Sequence, residues 1–234
     1  MIKAVIFDID NTLVDFLEMK RRCLGPAVDA MIKKGLRLSK EDALNKIYGL
    51  YKIYGMEYKL IFQEFLKSVN QSDYRILAAG IVAYRKKRKV EPYPGIKDVI
   101  KRLKKNGLKL AIVSDAPNLK AWIRLNYMDL DQYFDVVVAF DDTKVTKPAS
   151  LPFEKAIAEL KVGRKECLMV GDNVERDIFG SKNMGFHSCF ARYGNPNVEK
   201  GKSGAEFEAE KPSDILRIID RLNFNVKRGF LYFD

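Results

Sequence analysis

Hydrophobic positions along the chain fall into two regimes. Ala4 to Phe7 is a short apolar run with β-branched members, the pattern of a buried strand. Residues 16 to 91 then follow helical spacing. Phe16, Met19, Cys23, Ala27 and Ala30 share one side, and Pro26 is expected to kink or divide that element. Ser39-Lys40-Glu41-Asp42 fits a helix start, followed by Ala43, Ile47, Leu50, Tyr51 and Tyr54 and closed at Gly55. Tyr58, Ile61, Phe62, Phe65 and Leu66 predict a third helix; Ile76, Leu77, Gly80, Ile81 and Tyr84 predict a fourth.

The break at Glu91-Pro92-Tyr93-Pro94-Gly95 stops helix continuation and marks a domain boundary. Beyond it the pattern alternates: helix 96–105 closed by Asn106-Gly107, strand 109–113, helix from Pro117 to Tyr127, strand 136–140, helix from Pro152 to Leu160, strand 167–170, helix 174–184 closed by Gly185, and a strand at 187–190. Such alternation predicts a mostly parallel sheet covered on both faces, which the first strand must join. The expected fold is therefore α/β. A Rossmann-like, doubly wound parallel core (residues 1–15 plus 92–234) carries an inserted all-helical domain (16–91). Gly194 to Pro212 reads as a long loop, followed by a helix from Ser213 to Leu222. The apolar tail Gly229 to Asp234 is expected to dock on its own domain.

Composition narrows the classes. The 234 residues are 47% hydrophobic, enough for a packed interior, and no run of about 18 uncharged apolar residues predicts a membrane span. Cys23, Cys167 and Cys189 show neither paired nor zinc-ligand spacing, and no signal peptide is apparent, so a reducing cytoplasm is expected. The net charge of +11 is regional: residues 16 to 91 hold 17 Lys and Arg against 8 Asp and Glu. Its sharpest part, Arg85 to Lys89, reads as the solvated last turn of a helix, and nucleic-acid binding is not expected.

Candidate chemistry gathers at the strand ends, where open parallel sheets bind ligands. The first strand ends in Asp8 and Asp10, a pair whose joint ionisation calls for a cation or a shared proton. The next ends in Ser114-Asp115. Strand 136–140 is followed by Thr146-Lys147-Pro148, and strand 167–170 ends in Gly171-Asp172-Asn173 and leads to Asp177. Taken singly these are helix caps, loops and turns, and Asp115 and Asp142 are exposed turn acids. His187, the only histidine, lies in an apolar strand context and argues against a zinc or histidine-base mechanism.

Together the four segments resemble the four motifs of the haloacid dehalogenase-like (HAD) superfamily, in the subgroup with a helical cap inserted after the first strand. Asp8-Ile9-Asp10-Asn11-Thr12 is similar to the first, Ser114 to the second, Lys147-Pro148 to the third, and Gly171-Asp172 through Asp177 to the fourth. Asn11 stands where glycine is common, and it tolerates a left-handed backbone.

The resemblance implies a Mg²⁺-dependent phosphatase acting on a small phosphorylated metabolite, as a monomer or homodimer. Asp8 is the implied nucleophile and Asp10 the acid/base. Asp8, Asp172 and the Asp10 carbonyl are the implied metal ligands. Thr12, Ser114, Asp115 and Lys147 are implied at the phosphate, and Asn173 and Asp177 behind the metal. The alternatives are a sugar-phosphate mutase, a 2-haloacid dehalogenase, or a non-catalytic polyanion-binding module. Asp10 and Asp172 weigh against the dehalogenase, which needs neither acid nor metal.

Overall fold

A computed structural model of the chain describes residues 1–229. The apolar stretch Phe230 to Asp234, for which docking is expected, lies outside the described residues. Two compact units are present: residues 1–15 with 90 onward, and residues 16–89.

In the first unit, six strands form one parallel sheet in the order β3-β2-β1-β4-β5-β6. They are β1 (Ala4–Phe7), β2 (Lys109–Val113), β3 (Val136–Val138), β4 (Cys167–Gly171), β5 (His187–Ala191) and β6 (Phe207–Ala209). β1 lies between β2 and β4, with Phe7 level with Ile112 on one side and Val170 on the other. Every β1 side chain is fully buried, which is why the run carries no polar alternation. Ala4, Ile6, Ala111, Val113 and Met169 pack on one face with Phe153, Ala156 and Leu160 of the helix Ser150–Leu160. The chain winds from β1 outwards through β2 to β3, then returns to β4 on the other flank of β1. That reversal leaves a crevice at the carboxyl ends of β1 and β4.

Where the chain leaves this unit and re-enters it, the two segments are tied together. Val14 bridges to Pro92, and the Tyr93 N–H donates to Leu13 O at 2.9 Å.

The second unit holds four helices, α1 (Phe16–Lys33), α2 (Lys40–Tyr54), α3 (Ile61–Ser68) and α4 (Tyr74–Lys87). Its own core gathers Leu24, Val28, Met31, Ile47, Phe62, Phe65 and Leu66. Ser39 caps α2 by accepting from the Asp42 N–H at 3.0 Å, and Asp73 caps α4. Arg85 to Lys89 are exposed at the end of α4, consistent with a solvated helix terminus. Lys20 is buried, 3.2 Å from the Tyr51 hydroxyl and over the rings of Phe16, Tyr51 and Tyr84.

Several expectations need correction. Pro26 does not divide α1, which is one helix of 18 residues. Strand 136–140 ends at Val138, because Phe140 already opens the short helix Phe140–Thr143 capped by Asp142. The segment 194–212 is not all loop: β6 pairs in parallel with β5, and Glu208 binds Arg192 at 2.7 Å. Three residues are too few to show a period. Helix 174–184 is a π-helical turn (Val174–Phe179) followed by Gly180–Asn183. The final helix is longer than expected, Asp214–Gly229. Among the described residues no helix is long and apolar enough to cross a membrane.

Phe153 is fully buried, edge-on to Phe186 at 6.0 Å. Phe153→Ala is expected to lower unfolding stability by about 3–5 kcal/mol, read by denaturant titration. A loss under about 1 kcal/mol would contradict this packing.

Candidate active site

The turn after β1 sets the geometry. Leu13 and Val14 N–H groups both return to Ile9 O, at 2.8 and 3.2 Å, and Asn11 takes the left-handed φ of 56°. Asparagine bears that conformation at small cost. The two acids then take different partners. Asp8 faces Lys147, whose Nζ lies 2.7 Å from its Oδ1; Asp10 faces Arg124, whose Nε lies 3.1 Å from its Oδ1.

Lys147 is the hub. Its Nζ also lies 2.6 Å from Asp177 Oδ1, and its side chain is 2% exposed. Its own backbone N–H donates to Asp115 Oδ1 at 2.8 Å. Asp115 is half-buried and also sits 3.4 Å from Arg176. Its side chain therefore supports the lysine. Its half-buried position corrects the reading of it as an exposed turn acid.

Asp172 follows β4. Its backbone carbonyl accepts from Asn195 Nδ2 at 3.1 Å, and Asn11 hydrogen-bonds to its side chain. Asp177 comes back under Gly171, where an added Cβ would stand 2.3 Å from the Asp177 Cγ. The wide π turn makes this return possible: Ile178 N–H reaches Asn173 O at 3.2 Å, spanning five residues. Asn173 also donates its N–H to Asp177 Oδ2 at 3.0 Å, so both oxygens of Asp177 are engaged.

Asp8, Asp172 and Asp177 are all buried, and each offers an oxygen within 4.8 Å of the others. Three carboxylates against one lysine leave excess negative charge, and an all-oxygen set suits a hard divalent cation. The electrostatics agree. Burial, then the charges of Asp8 and Asp177, push the Asp172 carboxyl up to about 8. Burial likewise raises Asp177, to about 6, against the pull of Lys147. Burial alone would depress the Lys147 ammonium, but Asp177, Asp8 and Asp115 reverse this and hold it above the usual lysine value.

Ser114 is buried at the end of β2, where its Oγ accepts from the Ala116 N–H at 3.3 Å. Thr12 is fully buried, and its Oγ1 has no hydrogen-bond partner among the described residues. His187 begins β5 and pairs with Glu206 at 2.6 Å, at the opposite end of the strands from these acids.

Sequence reasoning missed four residues. Arg124 gave no signal, being an isolated arginine in an amphipathic helix. Tyr193, Gly194 and Asn195 follow β5; the last two begin the segment expected as a long loop, and Tyr193 carries no expectation. Tyr193 donates its hydroxyl to Thr12 O at 3.0 Å. Gly194 packs so closely that a Cβ would stand 1.6 Å from Asn11 O. A fifth strand end in an alternating sheet was the signal available for them.

The raised Asp172 carboxyl has a measurable consequence. Between its unfolded value of about 3.9 and its folded value of about 8, only the folded state holds the proton, so this group's contribution to stability falls as pH rises. Protein treated with chelator should lose stability from pH 5 to pH 8, by at most about 1.4 kcal/mol per pH unit from this group. Asp172→Asn should flatten that slope; identical slopes in thermal unfolding would contradict the assignment.

Comparison with known proteins places this geometry. The profile described as haloacid dehalogenase-like hydrolase matches residues 5–191. A glyceraldehyde 3-phosphate phosphatase of Pyrococcus abyssi is 32% identical over 228 residues, covering 95% of this chain and 96% of its own. Pyrophosphatase PpaX of Halalkalibacterium halodurans is 42% identical over 104 residues, covering 44% of this chain and 48% of its own. The crystal structure of a HAD phosphatase from Thermococcus onnurineus is similar with a TM-score of 0.69 and 27% identity, covering 93% of this chain and 98% of that one. With the family profile spanning most of the chain and the strand-end acids at the switch point, the chain belongs to the haloacid dehalogenase-like hydrolase family.

Proposed function

We propose that this protein is a Mg²⁺-dependent phosphatase that hydrolyses a small phosphorylated metabolite through an aspartyl-phosphate on Asp8. The observation that carries the reading is the buried Lys147 bridge between Asp8 and Asp177 beside Asp172. Lys147, 2.7 Å away, fixes the Asp8 carboxylate in place, as an attacking oxygen requires. Its ammonium also offsets charge on a transferring phosphoryl group. Mg²⁺ held by Asp8, Asp172 and the Asp10 carbonyl would shield the phosphoryl oxygens from the acids around them.

Asp8 attacks phosphorus while Asp10 gives its proton to the departing oxygen; water then attacks the same phosphorus while Asp10 takes the proton back. Ser114 and Thr12 are placed by this reading as hydroxyl donors to the phosphoryl oxygens. Asp177, with both oxygens already engaged, acts as a support for Lys147 and for the metal's surroundings. Residues 16 to 91 act as the cap that admits substrate. Three buried free cysteines suit a reducing cytoplasm.

The similarity to glyceraldehyde 3-phosphate phosphatases over nearly the full length favours a triose phosphate as substrate. The PpaX similarity puts pyrophosphate into the same assay. Phosphate release is expected from a triose phosphate and from p-nitrophenyl phosphate, dependent on Mg²⁺ and lost with chelator. Asp8→Asn should cost about 10⁴-fold or more in kcat, and Asp10→Asn about 10²–10⁴-fold. No release from any ester, or an active Asp8→Asn enzyme, would overturn the proposal.

A further inference from the structure

Arg124 sits in the helix Asn118–Tyr127, in the stripe with Ala121 and Leu125 that faces the interior, and is 3% exposed. On the same helix Leu119 is 72% exposed and Trp122 45%. The helix thus turns large apolar side chains outwards and this arginine inwards, the reverse of what burial favours. A guanidinium cannot shed its proton, so inside a protein it must be charged and paired. Its Nε lies 3.1 Å from Asp10 Oδ1, with the two side chains 3% and 25% exposed. An apolar side chain would fill the same stripe without that desolvation, so packing does not account for an arginine here.

We propose that Arg124 is a positioning residue for Asp10, fixing which carboxylate oxygen handles the proton. The inference rests on the phosphatase reading and adds to it. The guanidinium occupies the Oδ1 side of the carboxylate, which leaves Oδ2 to face the leaving oxygen. The 3.1 Å ion pair also biases the carboxylate's rotation, so the same oxygen serves in both halves of the cycle. In the first half the Asp8–phosphorus bond forms, the phosphorus–leaving-oxygen bond breaks, and the Oδ2 proton passes to the leaving oxygen. In the second, a water oxygen bonds to phosphorus, the Asp8–phosphorus bond breaks, and Oδ2 recovers one proton from that water. Atoms and protons balance over the cycle.

Leaving-group dependence isolates this role from a structural one, because kcat/KM reports only as far as the first irreversible step. A nitrophenolate departs with little help; phenolate, with a conjugate acid of pKa about 10, needs the proton far more. Wild type, Arg124→Leu, Arg124→Lys and Asp10→Asn are compared on p-nitrophenyl, phenyl and glycerol phosphates at saturating Mg²⁺. Arg124→Leu should lose about 10²-fold in kcat/KM on phenyl and glycerol phosphates but less than about 10-fold on p-nitrophenyl phosphate. Asp10→Asn should show the same split, and Arg124→Lys, which keeps the charge, should recover part of it.

Equal losses on all three esters, or none, would overturn the inference. If Arg124→Leu does not fold, Arg124→Lys decides: a steeper leaving-group dependence than wild type supports the role, and an unchanged one refutes it. Wild type that hydrolyses no ester would instead remove the phosphatase reading. A split in Asp10→Asn without one in either Arg124 variant would remove only the role of Arg124.

Discussion

The site depends on one buried cation. Lys147 brings an ammonium to within hydrogen-bonding distance of Asp8 and Asp177 in a place where its side chain is 2% exposed. Taking such a charge out of water costs several kcal/mol before any pairing, and two carboxylates at good geometry are what makes it tolerable. Asp8, Asp172 and Asp177 crowd together around it, and burial first, then the charges of Asp8 and Asp177, raises the Asp172 carboxyl even with that lysine present. Under the proposed reading, a divalent cation and the doubly charged ligand it accompanies would complete the balance of charge here.

Much of the surrounding structure serves to keep these groups in place. Asp115 holds the Lys147 backbone, the π turn returns Asp177 beneath Gly171, and Gly194 lets a loop pass against Asn11. Of these the π turn is a departure from regular helix, of the kind that collects at functional sites. The strand order explains why they collect at one point. With β1 central and the chain reversing between β1 and β4, both acid-bearing turns open into the same crevice.

The sheet was legible because its strands are uniformly apolar and end abruptly in acids: Asp8 after β1 and Asp172 after β4 stand out against their own runs. Lys147 was legible only through its place in a set, since a Lys-Pro pair in a loop has no local signal. Asp177 was readable as an early-helix acid but not as a buried partner of Lys147, because the π turn that buries it leaves no mark in hydrophobic spacing. Arg124 was invisible for a related reason: an arginine in an amphipathic helix is read as solvated until its face is known. The strand β6 and the Tyr193–Asn195 turn were lost in a segment rich in glycine and charge, where contacts distant in sequence decide the conformation.

In the proposed mechanism a single reaction is divided between two acids that differ in their partners. Asp8, 2.7 Å from a lysine, would become the point of covalent attachment; Asp10, 3.1 Å from an arginine, would move the proton. The most direct test is to trap the covalent state. Asp10→Asn protein, slowed in the hydrolytic half, is mixed with p-nitrophenyl phosphate and Mg²⁺, quenched in acid, digested and analysed by mass spectrometry. The account predicts one phosphoryl group on the peptide carrying Asp8, absent from the Asp8→Asn protein treated in the same way. Phosphate release by the wild type with no label on Asp8 in the trapped protein, or with label on another residue, would contradict it.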